Sequence, residues 1–280
     1  MDLDVILERN FTCISEEYRE FAKKKNACRK CSIYKHYGVV GQSEGNALNP
    51  TFMFVGECYG KDEIEQLRPF VGRAGQRLRQ EIRKHATTFT RKNSLISNVI
   101  ACRPLNNVFP RDSAGPYEIY KQKSGGKDDG GTKQAAARDI VHWCSRNWLR
   151  REIALVRPKV LITLGGKALD FVRGDLTGDD AIATSGGITA NRGSWKFLPA
   201  LQVWSMATYH PSYVIRCEND KKKDHVPYQF SEDMEKIAKT WRVMVDEDPR
   251  MKMSPDEWKK EYALDQAVTR GIVMPEALDD

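Results

Sequence analysis

The chain has 280 residues, 40% of them hydrophobic, and no apolar run of membrane length, which excludes a membrane-spanning protein and allows one sizeable core. Its formal net charge of +7 is uneven, because residues 246–280 carry ten acidic against five basic side chains. Residues 1–245 are therefore strongly basic. A basic body with an acidic tail fits a polyanionic partner, although a solvated basic surface has the same composition.

The N-terminal stretch MDLDVILERNF lacks the basic start and the long apolar run of a secretory signal. We therefore expect a cytoplasmic protein without a membrane partner, and we expect a monomer. In a reducing compartment, seven cysteines, an odd number, indicate metal ligation or ordinary burial, not a disulfide framework.

The cysteines contain one spacing signal, the C-x-x-C pair formed by Cys28 and Cys31. Together with the isolated Cys102 and Cys144, this pair is typical of one tetrahedral zinc ion or one iron–sulfur cluster. A redox pair or two packed thiols would also satisfy the spacing. The remaining cysteines are expected to be small buried hydrophobic residues: Cys13, Cys58 and Cys217.

Four apolar runs predict buried strands, in chain order TFMFVG, SLISNVI, KVLITLG and QVWSMATY. Helical periodicity lies between them, in AGQRLRQEIRKHA (74–86) and AAARDIVHWCSRNWLRREIALV (135–156). Alternation of strand and helix favours an α/β fold in which helices cover both faces of a parallel sheet. In such sheets ligands bind beyond the carboxyl ends of the strands, where GECYG (56–60), Asn98 and HPS (210–212) fall.

Two stretches do not fit this core. KQKSGGKDDGGTK (121–133) is charged, rich in glycine and without apolar periodicity, so we expect a flexible insertion at about 112–134 in a domain of residues 1–245. Beyond residue 245, SPDEWKKEYALDQAV begins with a Ser cap, a proline and acids, and predicts a helix in an acidic tail over 246–280.

Seven motifs occur in one order along the chain: CRKC, FVGECYG, RPFVGRAGQRLR, SNVIACRPLNN, RPKVLITLGGKAL, NRGSW and TYHPSYVIR. This order resembles the uracil-DNA glycosylase superfamily, specifically its iron–sulfur family 4, over residues 28 to about 240. The resemblance implies a three-layer αβα fold around a four-stranded, twisted parallel sheet. It also implies a [4Fe–4S] cluster in place of zinc, with Cys28, Cys31, Cys102 and Cys144 as ligands and a structural role.

The chemistry of base removal fits two residues of these motifs. Cleavage of an N-glycosidic bond in DNA places positive charge on the sugar and negative charge on the departing base. Glu57 is expected to orient or deprotonate the attacking water, and His210 to donate to a base carbonyl. Gly56 and Gly60 would let the backbone approach the substrate. Taken alone, a loop acid and a histidine before proline are more often structural, but the ordered motifs favour catalytic roles.

A base in a duplex must be flipped into a pocket before it reaches such groups. Phe70 matches the family's stacking aromatic, and Asn98 matches the residue that hydrogen-bonds the base edge. The Asn98 amide suits O4 and N3–H of uracil in one orientation and the edge of cytosine in the other. A core phenylalanine and an asparagine that caps a strand end are the structural alternatives.

The segment HPSYVIR resembles the family loop that enters DNA beside the extruded nucleotide. Tyr213 or Val214 would fill the vacated stack, and Arg216 would contact a phosphate. Ser212 and Arg73 complete the predicted DNA contacts.

Two departures from the family concern the base pocket. Cys58 and Tyr59 stand where family 4 has a small residue and a proline, so Tyr59 is expected to close the pocket against bulky C5 substituents, to stack on the base, or to bond to a modified one. The separation of Cys102 from Cys144 is much longer than in the family and contains the insertion.

These features predict a monofunctional DNA glycosylase that flips a pyrimidine, either uracil or a modified base, and leaves an abasic site. No lysine stands out as a Schiff-base nucleophile. One alternative is antiviral removal of hypermodified, for example glycosylated, bacteriophage bases. A non-catalytic DNA-binding member and an iron–sulfur redox or sensing protein are further alternatives, which the combination of Glu57, Asn98, Phe70 and His210 disfavours.

Overall fold

The computed structural model describes residues 2–110, 118–120, 132–134, 137–175, 187–253 and residue 257. The strands in these ranges are β1 Phe11–Cys13, β2 Glu44–Asn46, β3 Phe52–Cys58, β4 Ser94–Ile100, β5 Glu118–Tyr120, β6 Thr132–Gln134, β7 Val160–Leu164, β8 Trp195–Leu198 and β9 Val203–Thr208. The α-helices are α1 Leu3–Asn10, α2 Glu16–Asn26, α3 Ser32–Tyr37, α4 Lys61–Gln66, α5 Arg73–Lys84, α6 Ala137–Cys144, α7 Arg150–Val156, α8 Gly166–Leu169, α9 Gly187–Asn191, α10 Pro211–Cys217 and α11 His225–Asp246.

The main sheet has the strand order β1-β2-β4-β3-β7-β9-β8. Its centre consists of the four strands predicted from the apolar runs. Within this centre, each adjacent pair of strands is parallel: β4 with β3, β3 with β7, and β7 with β9. The predicted α/β fold with a central four-stranded parallel sheet is therefore confirmed. At the edges, β2 pairs with β4 and β8 pairs with β9, both antiparallel. The sequence did not predict β2 and β8, because such short strands produce no periodic pattern.

Alternation along β3 explains why the sheet is covered on both faces. Met53 and Val55 belong to one hydrophobic core, and Phe52 and Phe54 belong to a second core. Successive side chains of a strand point to opposite faces, so the continuous apolar run of residues 52–55 requires a helical layer on each side of the sheet. The result is the three-layer αβα arrangement that the sequence predicts.

The predicted helix over 135–156 is helical throughout its described part. α6 passes into a π-helical turn, Ser145–Leu149, and then into α7. Cys144 is the last residue of α6, so the π turn starts directly after a predicted metal ligand. A π turn changes which side of a helix the next residues occupy.

The predicted insertion and the predicted tail lie mostly outside the described residues. Within the insertion, β5 and β6 form an antiparallel pair in which Ile119 lies opposite Lys133. After α11 a 3₁₀ turn spans Pro249–Lys252, and the helix predicted from SPDEWKKEYALDQAV falls outside the described ranges except for Glu257. Among the helices in those ranges, none combines the length and apolar composition that a transmembrane span requires.

Candidate active site

A cavity of about 490 Å³ opens at the carboxyl ends of β3 and β9. Its volume falls within the usual range for small-ligand sites. Most of the predicted catalytic, base-binding and loop residues line it: Glu57, Cys58, Phe70, His210, Ser212, Tyr213 and Arg216. The parallel sheet thus brings together residues that are up to 159 positions apart in the sequence, at the edge where α/β proteins bind ligands.

Gly165 lies next to both predicted catalytic residues. A Cβ atom on this glycine would lie 2.8 Å from Cβ of His210 and 3.1 Å from Oε1 of Glu57. The backbone φ of Gly165 is +91°, which residues with a side chain rarely adopt. The Glu57 carboxylate and the Cβ of His210 therefore both lie against the same bare backbone segment.

His210 is held in one tautomer. It is the N-cap of α10, and its Nδ1 accepts a hydrogen bond from the Ser212 backbone N–H at 3.2 Å. Nδ1 also lies 2.8 Å from the Ser212 hydroxyl. Because an accepting Nδ1 carries no proton, the proton of the neutral ring is on Nε2. Burial, with a smaller effect of Arg216, lowers the pKa of His210 to about 4, so the ring is a neutral donor near pH 7.

The C-terminal helix anchors the strand that leads to His210. Asp233 of α11 is buried and accepts two hydrogen bonds from Arg192, at 2.6 and 2.8 Å. It also accepts one from the Thr208 hydroxyl at 2.7 Å. Thr208 is the last residue of β9 and lies two positions before His210. This bridge fixes the end of β9 relative to the helical layer.

Phe70 lies against the strand end in a constrained conformation. Its backbone φ is +54°, which is unusual for a residue with a side chain. Its carbonyl packs against Gly75, where a Cβ would overlap it. A Cβ on Gly56 would overlap both the Phe70 ring and the Asn98 amide oxygen. Gly56 therefore leaves room for the predicted stacking ring beside the predicted base-edge amide.

A buried carboxylate with three arginines supports the Phe70 segment. Glu44 of β2 is 2% exposed and forms ion pairs with Arg68 at 2.7 Å and Arg79 at 2.9 Å, with Arg91 at 3.8 Å. Arg79 also donates to the carbonyl of Phe70 at 3.2 Å. Arg79 thus connects the left-handed turn at Phe70 to the sheet edge.

Asn98 is 6% exposed, and its Oδ1 has no hydrogen-bond partner among the described residues. Buried side-chain oxygens in folded proteins normally have a partner, so an orphaned one beside a cavity indicates a place for a ligand or water. Asn98 does not itself line the open cavity. It lies behind it, next to the Phe70 ring.

The two residues that depart from the family differ in their environment. Cys58 lines the cavity, and burial together with Glu57 raises the pKa of its thiol, which is therefore protonated at neutral pH. Tyr59 is 2% exposed and lies outside the cavity lining. Its ring packs over Gly41, and its hydroxyl donates to the carbonyl of Gln42. The position of Tyr59 gives no support to contact with a base.

Helix α10, which follows His210, presents an aromatic ring with a cation beside it. Tyr213 is half-buried, and the guanidinium of Arg216 lies 5.7 Å from its ring centroid. Arg73, at the start of α5, is exposed. Val214, by contrast, is fully buried in the hydrophobic core. The proposal that Val214 fills a vacated base stack is therefore wrong, because the helical turn of α10 directs it inward.

Several residues that line the cavity were not predicted as site residues, and two of them, Glu63 and Asn107, carry a carboxylate and an amide. Glu63 of α4 lines the cavity, and its carboxylate accepts from the Gly72 backbone N–H at 2.9 Å. Asn107, in a turn after β4, also lines it and accepts from Arg103 at 2.9 Å. The motif SNVIACRPLNN contains Asn107, but a sequence gives no means of choosing between neighbouring polar residues of a loop.

The four predicted metal ligands occupy one region of the other helical layer. Cys28 and Cys31 are half-buried, and Cys102 and Cys144 are buried. Burial raises the pKa of Cys102, and the nearby thiols of the other three cysteines raise it further. Burial also raises the pKa of Cys144 to about 12. The described residues nevertheless include no group of three or more Cys, His, Asp or Glu side chains positioned to hold a metal ion.

The cavity combines a carboxylate, a neutral imidazole donor and an aromatic ring in one concave site. Such a set can place a water molecule beside an electrophilic carbon and stabilise negative charge on a leaving group. The aromatic ring provides a surface on which a planar base can stack.

Comparison with known proteins supports the resemblance seen in the motifs. Residues 42–231 match the family model described as the uracil DNA glycosylase superfamily. The chain is 31% identical over 206 residues to a type-4 uracil-DNA glycosylase of Thermotoga maritima, and the matched region covers 72% of this chain and 85% of the relative. It is 29% identical over 199 residues to a type-4 uracil-DNA glycosylase of Sulfurisphaera tokodaii, covering 70% and 74%. The chain therefore belongs to the uracil DNA glycosylase superfamily, and the enzyme class that its motifs predict, a DNA glycosylase, is confirmed.

Proposed function

We propose that this protein flips a pyrimidine nucleotide out of DNA, hydrolyses its N-glycosidic bond and leaves an abasic site. The observation that carries this proposal is the placement of Glu57 and His210 next to Gly165 in one cavity. In this reaction the bond from C1′ of the sugar to the base nitrogen breaks and a water oxygen bonds to C1′. One proton of the water ends on the base.

Glu57 acts at the sugar. Its carboxylate orients the attacking water, accepts a proton from it and stabilises the positive charge that develops on the sugar. No covalent bond between protein and sugar is required, so the enzyme is monofunctional and does not cleave the strand at the abasic site.

His210 acts at the base. Its Nε2–H donates to a carbonyl oxygen of the base as negative charge accumulates there. A neutral donor suits this role because it stabilises the leaving base without transferring a proton, and the low pKa of His210 keeps the ring neutral. The bond from Ser212 to Nδ1 aligns the ring.

Phe70 and Asn98 hold the flipped base. The ring of Phe70 stacks on the base, and the Asn98 amide pairs with the edge that carries N3 and the C4 substituent. The names of the relatives favour uracil. A modified pyrimidine, as in a defence against bacteriophage DNA, is the rival substrate. Uracil and a modified pyrimidine both fit the Asn98 amide, because the bound base sets the orientation of that amide.

Tyr213 and Arg216 meet the DNA next to the extruded nucleotide. The half-buried Tyr213 ring at the cavity mouth fills the gap left in the stack, and the exposed Arg216 contacts a phosphate. Cations beside an aromatic ring are typical of surfaces that bind nucleic acid.

A [4Fe–4S] cluster is the cofactor we propose for the other helical layer. Four thiols, two of them buried, are a suitable donor set, and Cys28, Cys31, Cys102 and Cys144 would hold it. When bound, the cluster cross-links the segment before α3, the loop after β4 and the end of α6. Base removal itself depends on cavity residues.

A base-release assay tests the proposed function. Purified protein is incubated with DNA that contains one uracil or one 5-substituted pyrimidine, and the free base is measured. We expect release by the unaltered enzyme and a loss of about a hundredfold to ten-thousandfold in Glu57→Gln. Glu65→Gln, an exposed acid on α4, is the matched control. Absence of release from every substrate, or a Glu57→Gln enzyme with near-normal activity, contradicts the proposal.

A further inference from the structure

Gln42 is a buried amide without a partner. It is 2% exposed, and neither its Oε1 nor its Nε2 has a hydrogen-bond partner among the described residues. A buried primary amide offers two donors and an acceptor, and leaving all of them unpaired is unfavourable. Folded proteins normally satisfy such groups with protein, water or a ligand.

The strand register places Gln42 opposite the segment that contains Asn98. β2 and β4 are antiparallel, and the Ser43 hydroxyl lies 2.9 Å from the Ser97 hydroxyl across the two strands. Two residues before Ser43, the Gly41 N–H donates to the carbonyl of Ala101 at 2.6 Å. Gln42 lies between these two cross-strand contacts, and therefore opposite residues 98–100.

Alternation along the strands places both amides on the same face. Ser43 and Ser97 bond to the carboxylate of Glu152, in the layer on the cysteine side of the sheet. Their neighbours Gln42 and Asn98 therefore point to the opposite face. Two buried amides on adjacent chain segments, both with unpaired polar atoms, thus lie on the side of the sheet that Phe70 covers.

The strand order gives this pair a direction relative to the catalytic residues. Across the sheet, His210 follows β9, Glu57 belongs to β3, Asn98 to β4, and Gln42 precedes β2. A pyrimidine whose O2 faces His210 and whose N3 edge faces Asn98 directs its C4–C5 side further along this line. That side of the base points towards Gln42.

We propose that Gln42 is a second amide that recognises the base, and that the preferred substrates are pyrimidines with a hydrogen-bonding substituent on the C4–C5 side, such as a 5-hydroxymethyl group. This inference rests on the proposed function. The C5–H of uracil cannot pair with an amide, whereas a hydroxyl at this position both donates to Gln42 and accepts from it. A site with an unpaired buried amide discriminates against the ligand that leaves it unpaired.

Two matched pairs of substrates test the inference. DNA containing uracil is compared with DNA containing 5-hydroxymethyluracil, and cytosine is compared with 5-hydroxymethylcytosine, at the same position. We expect kcat/KM to favour the hydroxymethyl member of at least one pair by about tenfold or more. In Gln42→Met, which keeps the length of the side chain without its polar atoms, this ratio should fall to near one. Gln76→Met, at an exposed position of α5, should keep it.

The outcomes separate the inference from the proposed function. Release of bases without a hydroxymethyl preference, or a preference that persists in Gln42→Met, overturns the role of Gln42 and leaves the glycosylase assignment intact. Failure to release any base overturns both. Thermal unfolding tests whether Gln42→Met is folded. If it is not, Gln42→Glu replaces it. The inference is overturned if, in Gln42→Glu, the ratio of kcat/KM for the hydroxymethyl base to kcat/KM for the unmodified base is the same as in the unaltered enzyme.

Discussion

The two faces of the central sheet carry different kinds of site. On the face covered by α5 and α11, the geometry of the cavity is fixed by contacts of the chain with itself: the close approach of Glu57 and His210 to Gly165, the left-handed turn at Phe70, and the Glu44–Arg79 pair. On the opposite face, four cysteines come from three separate segments of the chain. Changes in the first region should alter the reaction rate, and changes in the second should alter folding.

The largest expected effect lies in the cysteine region. If the proposed cluster is bound, Cys28→Ser should abolish the soluble folded protein and the brown colour that the cluster would give, because it removes one of four donors that would connect distant segments. Soluble yield, thermal unfolding and the visible absorption spectrum measure this effect. Cys13→Ser is the control, because Cys13 at the end of β1 is exposed and the expectation that it is buried is wrong. A folded, coloured and inactive Cys28→Ser protein would show that the role is catalytic.

In the cavity, Gly165→Ala should reduce kcat/KM about a hundredfold or more while the protein stays folded. The added methyl group would collide with His210 and crowd the Glu57 carboxylate, at a backbone conformation that alanine rarely adopts. In the matched variant Gly166→Ala, the new Cβ meets only Ile188, at 3.8 Å. Equal losses in both variants would mean that general disturbance of the loop, and not the crowding of two catalytic groups, is responsible.

A smaller effect is expected from Arg79→Met, which replaces no residue of the cavity lining. Loss of the bond to the Phe70 carbonyl should loosen the stacking ring and lower kcat/KM about tenfold, mainly through KM. Arg83→Met, an exposed position one turn further along α5, should be near normal. If Arg79→Met changes only the melting temperature, the arginine supports the fold and not the position of the ring.

The smallest effect concerns pH. Folded His210 titrates at about 4 and an unfolded histidine near 6.5, so the unfolded chain binds a proton first as the pH falls. The free energy of unfolding should therefore decrease between pH 6.5 and 4, and this decrease should be smaller in His210→Asn. Melting temperatures at pH 7 and 5 measure the difference. A kcat/KM profile that loses activity at pH 6.5 through His210 would contradict a neutral donor.

The central strands were predictable because they are largely buried on both faces and therefore mostly apolar, as in the VLITL run of β7. Glu57 and His210 were placed correctly at one edge because the ends of parallel strands must meet there. The direction of Tyr59 was not predictable, since a residue just beyond a strand can turn to either face. Gln42 was overlooked because a lone glutamine before a three-residue strand has no pattern around it.

The bridge from Asp233 to Arg192 and Thr208 has a consequence for biosynthesis. Translation proceeds from the N-terminus, so β9 leaves the ribosome before α11, and the carboxylate that fixes the end of β9 is made after the histidine it positions. A nascent chain that stops before residue 233 contains all the predicted catalytic residues but lacks this anchor. Complete assembly of the site therefore waits until nearly all of the described chain has been synthesised.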